Sequence, residues 1–328
     1  MKVTLQEIRE RTYKPVDAWW TVLLVDPLAA RLVRLVAPYR WITPNVLTLV
    51  ATIFGTGAAV CFAFGDRAYL IAGAILFHLS FVVDCMDGKI ARLNGTGTIF
   101  GQWLDFVLDR VRVFFIGLAL FGGQYVQTGE VAYLWLMAVA VFLDLFRYLN
   151  SSQMTKVRRG MRDQLLALRP PAPVQPESAA DSGEPSDEMD DQPGAQSGTQ
   201  SGANASLKRR VGTFLRERRI RTHLFSGIEY EMFVFIVGPL TGLLFPVTIV
   251  SGAALLLFEA FLIYKLYQAT RAFPAKLATA EKEFAAYQAE AAQAGPVQAG
   301  PDQAGPDQAG PDQAGPDQAS AADLSHAV

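Results

Sequence analysis

Residues 84–109 read DCMDGKIARLNGTGTIFGQWLDFVLD and join the ends of two strongly apolar segments. Asp84 and Asp87 are three residues apart, so they share one face of a helix. Asp105 and Asp109, four residues apart, do the same on the segment that follows. An ionisable side chain at membrane depth is costly unless a partner holds it. The stretch therefore predicts two membrane helices whose polar ends converge on a shared partner.

The most economical partner for four converging carboxylates is a pair of divalent cations, because the charges then offset one another. Hard oxygen ligands beside a phosphate-bearing substrate suit Mg²⁺ or Mn²⁺ better than zinc. Cys85 lies between two of the aspartates, but thiolate suits softer metals, so we interpret it as a small apolar filler. The alternative is that two helix ends happen to be acidic. The predicted metal ligands are Asp84, Asp87, Asp105 and Asp109.

The composition is that of a polytopic membrane protein. Of the 328 residues, 51% are hydrophobic and only 18% are charged, and the apolar residues occur in clumps. The two cysteines, Cys61 and Cys85, both lie in apolar segments, so they indicate no disulfide framework. The first thirty residues contain several charges and no clean apolar core, so no cleavable signal peptide is predicted.

We predict an all-α fold with six transmembrane helices. Their approximate bounds are 42–63, 68–83, 102–122, 131–149, 229–245 and 247–266, close to the ~20 residues that a bilayer requires. An amphipathic helix lying in the membrane interface is predicted before them, over residues 17–40, where apolar and basic residues recur with helical period. The alternative for residues 17–40 is an ordinary soluble helix.

The expected organisation has five parts. They are an interfacial segment (1–41), four spans with the aspartates (42–149), basic segments flanking a disordered linker (150–226), two spans (227–270) and a tail (271–328). The linker, 168–206, is rich in Pro, Ser, Gly and acid and cannot bury a core. After Gln293 the sequence repeats the pentad AGPDQ, which predicts an extended, disordered tail.

Positive charge predicts the orientation of the helices. Basic residues precede the first span, separate the second from the third, fill 156–221 and follow the sixth. The opposite loops are short and carry little charge. The aspartates and both termini are therefore expected on the cytoplasmic side, in the plasma membrane of a bacterium.

The pattern D-x2-D-G-x2-A-R-x8-G-x3-D-x3-D, which begins at Asp84, resembles the signature of the class I CDP-alcohol phosphotransferase (CDP-alcohol phosphatidyltransferase) family. All eight signature positions are filled. The resemblance implies transfer of a phosphatidyl or substituted phosphoryl group from a CDP-linked donor to an alcohol, with release of CMP. It also implies a homodimer, by analogy alone. Membrane lipids are expected partners, and nucleic acid is not.

The same resemblance suggests roles for the signature residues. Asp84, Asp87 and Asp105 correspond to metal ligands, and Asp109 to a ligand that is also the general base. The small residues and the arginine correspond to the site of the CDP-linked donor: Gly88, Ala91, Gly101 and Arg92. Plain helix packing is the alternative for the small residues. For Arg92 the alternative is a side chain that extends to the membrane surface.

Two other groups of residues are candidates. Asn45, in the segment Ile-Thr-Pro-Asn at the start of the first span, could contact cytidine or cap the helix. Arg112, Arg147 and Lys156 could bind a phosphorylated acceptor, such as glycerol phosphate or inositol phosphate. The alternative for these cations is charge that sets topology.

The predicted activity leaves several readings open. A phospholipid product made from CDP-diacylglycerol is favoured over a soluble phosphodiester made from a CDP-alcohol and a sugar-alcohol phosphate. A cation-coupled transporter would also need intramembrane carboxylates, but it would not need the Gly-Ala-Arg residues between them, and no inverted repeat is evident. A membrane scaffold without activity would not need all four aspartates.

Overall fold

The computed structural model describes residues 4–39, 41–169, 212–215, 217–221 and 225–293. Within these ranges the regular elements are helical, apart from one isolated backbone bridge between Asp17 and Ile220. Arg40, nearly all of the predicted linker and the pentad tail lie outside the described residues. The prediction of an all-α fold is confirmed for the described part of the chain.

The helices follow one another with short connections over most of the chain. We number them in chain order, and two of them adjoin a π-helical turn. They are α1 (Leu5–Thr12), a π-helical turn (Thr21–Val25) that continues into α2 (Asp26–Val36), α3 (Pro44–Phe64), α4 (Arg67–Asn94), α5 (Ile99–Thr128), α6 (Ala132–Ala167), α7 (Gly227–Met232), a second π-helical turn (Phe233–Val237), α8 (Gly238–Thr241) and α9 (Leu244–Gln293).

Local sequence explains the turn that separates the two aspartate pairs. Gly95 ends α4 with φ of 65°, a left-handed conformation that glycine adopts without steric cost. Thr98 then caps α5, because its hydroxyl accepts a hydrogen bond from the amide of Gly101 at 3.0 Å. The chain therefore reverses within a few residues, so that α4 ends and α5 begins at the same end of the bundle.

Four of the described helices are long and apolar enough to cross a membrane: α3, α4, α6 and α9, the last over Leu244–Ala289. The protein is therefore an integral membrane protein. The other two predicted spans are not confirmed. Helix α5 has 30 residues but carries the second aspartate pair and two arginines in its first half. The segment from α7 to α8 consists of pieces of 6, 5 and 4 residues.

Helices α3, α4 and α5 pack together at very short range. A Cβ atom on Gly123 of α5 would lie 2.2 Å from the carbonyl oxygen of Phe62, so only glycine allows this approach. Beside it, the side chain of Gln124 donates to the carbonyl of Gly65 at 2.8 Å. Phe62 itself is fully buried. The α3–α5 contact thus fixes the helix that carries Asp105 and Asp109.

Residues before the first long helix pack on the bundle. In the helix that ends with α2, Trp20, Val25, Ala29 and Val33 are buried, and α2 packs against α4 and α1. Leu23 and other apolar residues on the opposite face are exposed. A helix in this region agrees with the sequence prediction, while its position in the membrane interface stays a prediction.

Candidate active site

Three of the four signature aspartates converge. Asp84 near the end of α4 meets Asp105 and Asp109 near the start of α5, and one carboxylate oxygen from each lies within 4.8 Å of the others. Carboxylates this close repel one another unless positive charge is present. Three hard oxygen donors at this spacing fit a divalent cation such as Mg²⁺ or Mn²⁺.

Asp87 is placed differently. Its side chain is buried and accepts a hydrogen bond from the hydroxyl of Thr48 on α3 at 2.6 Å. It lies on the wall of the same cavity as the other three aspartates but outside their close group. Its predicted role as a metal ligand therefore stays a prediction.

Arg112 supplies a positive charge to the carboxylate group. One of its guanidinium nitrogens lies 2.9 Å from Asp84 and also contacts Asp109. A glycine on α3 makes room for it, since a Cβ on Gly55 would lie 2.7 Å from the Cδ of Arg112. The predicted role of Arg112 in binding the acceptor stays a prediction, and in the structure its guanidinium is bound to two of the signature aspartates.

A cavity of about 550 Å³ lies over the aspartates, within the usual range for a small-molecule site. Its wall combines the signature helices with residues far away in sequence. Ile99, Trp103 and Phe106 form an apolar part. The cationic residues on the wall are Lys14, Lys89, Arg92, Arg110, Arg112, Arg147 and Arg221. The wall also carries Asp17, Asp26 and Glu231 besides the four signature aspartates. A cation bound by the grouped aspartates would leave such a cavity suited to an anionic ligand with an apolar portion.

The signature glycines have different surroundings. Gly88 lines the cavity, and a Cβ there would meet only the guanidinium of Arg92, at 3.5 Å or more. Protein packing therefore does not require glycine at this position. Space for a ligand would explain the glycine. Gly101 donates its amide to Thr98 at the start of α5 and is not among the cavity residues. Ala91 is half-buried and also lies off the cavity wall.

Arg92 and Asn45 have different positions relative to the cavity. Arg92 lines it and also donates from Nε to the carbonyl of Thr12 at 3.0 Å, so it braces the end of α4 against α1. Asn45 is exposed and does not line the cavity. The capping residue of α3 is Thr43, which accepts from the amide of Val46.

Of the two other acceptor candidates, Arg147 lines the cavity and Lys156 does not. Arg147 is 2% exposed, lines the cavity, and lies 3.0 Å from a carboxylate oxygen of Glu259 on α9. Asn150 donates to the other oxygen of Glu259 at 2.5 Å. Lys156 is exposed, one turn or more beyond, and is not part of the cavity wall.

A buried polar network lies beside the aspartates, and sequence reasoning singled out neither Asp144 nor Tyr148 among its members. Arg110 on α5 contacts Asp144 on α6 at 3.0 Å and Glu231 on α7 at 2.9 Å. Its guanidinium also stacks over the ring of Tyr148, whose hydroxyl donates to Glu231 at 3.1 Å. An ionisable residue inside an apolar segment, as at Asp144, was the available signal. Its partners could not be read from sequence spacing.

Comparison with known proteins agrees with this geometry. The described residues define a helical membrane protein in which grouped carboxylates lie on the wall of a cavity that also carries basic residues. The CDP-alcohol phosphatidyltransferase family model matches residues 41–168, which contain all four signature aspartates. These residues, which include the aspartate-bearing parts of α4 and α5, are similar to that family over about two fifths of the chain.

Curated proteins are also similar to part of the chain. A phosphatidylinositol phosphate synthase from Corynebacterium glutamicum is 36% identical over 89 residues, 27% of this chain and 37% of the relative. An archaetidylinositol phosphate synthase from Methanothermobacter thermautotrophicus is 34% identical over 110 residues, 33% of this chain and 51% of the relative. A bifunctional IPC transferase and DIPP synthase from Aquifex aeolicus is 38% identical over 68 residues, 21% of this chain and 15% of the relative. The matches thus span about half or less of each relative.

Proposed function

We propose that the protein transfers a phosphatidyl group from CDP-diacylglycerol to a hydroxyl of a phosphorylated alcohol, with release of CMP. The observation that carries the proposal is the close group of Asp84, Asp105 and Asp109 on the wall of a cavity that also carries seven basic residues. The family match supports the reaction class. The names of the relatives support an inositol phosphate as the acceptor.

Two divalent cations, Mg²⁺ or Mn²⁺, are part of the proposal. Asp84, Asp105 and Asp109 would hold them, with Asp87 as the fourth ligand on the same wall. When bound, the cations would neutralise the diphosphate and the charge that develops on the departing CMP. The contacts of Arg112 with two of these carboxylates support positive charge at this site.

In the proposed reaction, the acceptor hydroxyl oxygen forms a bond to the phosphorus that carries diacylglycerol. The bond between that phosphorus and the bridging oxygen of CMP breaks, and the oxygen leaves with the electron pair. The hydroxyl proton passes to the carboxylate of Asp109, which serves as general base. Arg112 orients this carboxylate through their direct contact.

The apolar part of the cavity supports a lipid donor. Ile99 and Trp103 are largely exposed at the start of α5 while also lining the cavity, and Phe106 follows one turn later. Acyl chains could therefore lie along the outside of α5 while the CDP group enters the cavity beside Gly88. Exposed apolar side chains on such a helix are suited to lipid contact.

The remaining cations support an anionic acceptor. Lys14, Arg147 and Arg221 line the cavity and come from three separate parts of the chain. Guanidinium groups bind phosphate through paired hydrogen bonds. A phosphate on the acceptor would distinguish it from a neutral alcohol.

The test is CMP release by the purified full chain in detergent, with CDP-diacylglycerol and a panel of inositol phosphate, glycerol phosphate, inositol and serine. The assay is run with and without Mg²⁺ or Mn²⁺. We expect metal-dependent release with a phosphorylated acceptor, lost by at least ~10²-fold in Asp109→Asn. Glu130→Gln, in the exposed connection between α5 and α6, is the matched control and should keep full activity.

Other results would change the proposal. Release only with a water-soluble CDP-linked alcohol would replace the lipid donor by a soluble one while keeping the chemistry. Release with a neutral alcohol alone would remove the phosphorylated acceptor. Full activity in Asp109→Asn would contradict the role of this aspartate as the general base.

A further inference from the structure

Asp26, in the first turn of α2, joins two cations that come from distant parts of the chain. The residue is 3% exposed. One carboxylate oxygen lies 2.9 Å from Nζ of Lys89, a residue of the aspartate-bearing stretch that is itself 4% exposed. The other lies 3.1 Å from a guanidinium nitrogen of Arg219. A buried carboxylate with two cationic partners has its charge fully compensated.

Arg219 makes further contacts with the N-terminal segment. Its Nε and Nη2 donate to the carbonyl of Lys14 at 2.9 and 2.7 Å. Its guanidinium also lies 4.2 Å from the centre of the Tyr13 ring. Tyr13 in turn donates its hydroxyl to the carbonyl of Asp26 at 3.1 Å. We call Tyr13, Asp26, Lys89 and Arg219 the Asp26 cluster.

The backbone of the segment around Arg219 is also bound. The amide of Asp17 donates to the carbonyl of Arg219 at 2.8 Å, and the amide of Arg221 donates to the carbonyl of Asp17 at 3.0 Å. Arg219 has φ of 62°, which non-glycine residues adopt only where surrounding contacts favour it. The Asp26 cluster supplies such contacts.

The Asp26 cluster lies beside two cations of the cavity wall. Lys14 provides the carbonyl that Arg219 binds, and Arg221 follows Arg219 by two residues. Both Lys14 and Arg221 line the cavity, as does Asp26. The positions of Lys14 and Arg221 relative to α4 therefore depend on how firmly residues 13–26 and 217–221 are held against that helix.

We propose that Asp26 is a positioning residue, which holds residues 217–221 and Lys14 against α4 and so sets the cationic wall that receives the acceptor phosphate. The role in acceptor binding rests on the proposed function, whereas the structural link does not. Removing the carboxylate leaves the grouped aspartates in place. The loss should therefore fall on binding of the phosphorylated acceptor and not on the chemical step.

The test compares Asp26→Asn with the unmodified full chain by hydrogen exchange and by kinetics. We expect the amides of Asp17 and Arg221 to exchange about tenfold faster, because the backbone bridge opens more often. We expect KM for inositol phosphate to rise about tenfold, with kcat and KM for CDP-diacylglycerol within about twofold. Arg219→Gln, which keeps the contact between Asp26 and Lys89, should give the same pattern if Asp26→Asn does not fold.

The matched control is Glu7→Gln, which removes an exposed ion pair with Arg11 in the same N-terminal region. It should change neither measurement. Unchanged exchange at Asp17 and Arg221 in both cluster variants would overturn the structural link. Faster exchange with equal losses in kcat and kcat/KM, or with no kinetic change, would overturn the positioning role. If the unmodified protein transferred nothing, the proposed function and the acceptor role would both fail, and the exchange result would still decide the link.

Discussion

Arg112 binds two of the signature aspartates, and its position depends on one glycine of a neighbouring helix. Its guanidinium is held by Asp84 and Asp109, so the side chain cannot swing away without losing both contacts. Its Cδ passes Gly55 at a distance where a Cβ would lie only 2.7 Å away. A larger residue at position 55 would therefore displace the guanidinium charge from the two carboxylates.

We predict that Gly55→Ala lowers CMP release by about tenfold, because a shifted Arg112 no longer orients Asp109. Gly57→Ala, on the same helix, is the matched control, since its Cβ would meet only Leu76 at an ordinary 3.5 Å. The measurement is kcat in the Mg²⁺-dependent assay, alongside thermal unfolding in detergent. Equal activity of the two variants would show that the bundle adjusts around Arg112 without affecting the site.

At the scale of single residues, the sequence predicts which residues carry charge inside apolar segments better than it predicts their partners. The aspartates were identified because an ionisable residue in an apolar segment is costly. The partner of Asp84 was not identified, because Arg112 reaches α4 from α5. In the same way, Arg110 on α5 pairs with Asp144 on α6 and Glu231 on α7. The partner of Asp87 was not predicted either, because Thr48, which donates a hydrogen bond to it, lies on a different helix, α3.

At the scale of helices, the close approach of α5 to α3 depends on a glycine, which has no side chain at the point of contact. The Cα of Gly123 faces the carbonyl groups of Phe62 and Ala63. A Cβ on Gly123 would lie 2.2 Å from the oxygen of Phe62 and 2.9 Å from that of Ala63. Unlike a flexible side chain, a helix backbone cannot move aside locally. Small residues permit such packing between membrane helices.

We predict that Gly123→Ala destabilises the protein by about 2 kcal/mol or more, as overpacking of a close contact does. Gly122→Ala is a closely matched control, because its Cβ would have no atom within 4 Å. Thermal unfolding of both variants in the same detergent measures the difference. A Gly123→Ala variant as stable as the control would mean that α3 and α5 can separate at little cost.

The helices that the sequence predicted best are the long apolar ones. Helices α3, α4, α6 and α9 were anticipated by apolar length, although α6 and α9 continue well past the predicted ends, to Ala167 and Gln293. Apolar length cannot locate such ends, because a helix that leaves the membrane continues with polar residues. The region from α7 to α8 was predicted as one span but contains a π-helical turn, which hydropathy does not detect.

At the scale of the whole molecule, the arrangement of charge predicts which side of the membrane holds the site. The start of α3, the end of α4 and the start of α5 lie toward the basic residues, because successive long helices reverse direction. The connection between α5 and α6 lies at the opposite end and contains Glu130 without nearby basic residues in sequence. Excess Lys and Arg marks the cytoplasmic side.

We predict that a cysteine at Gly97 is protected in intact cells and labelled in inside-out vesicles by a membrane-impermeant maleimide. A cysteine at Glu130 should show the reverse. Gly97 lies in the exposed turn between α4 and α5, where a Cβ meets no atom within 4 Å, so the substitution leaves the site intact. Replacing Cys61 and Cys85 with alanine first removes background labelling. Labelling of both positions from the same side would contradict a membrane crossing by α5. Labelling of Gly97→Cys alone in intact cells would place the aspartates, and the CDP-linked donor, on the outer face.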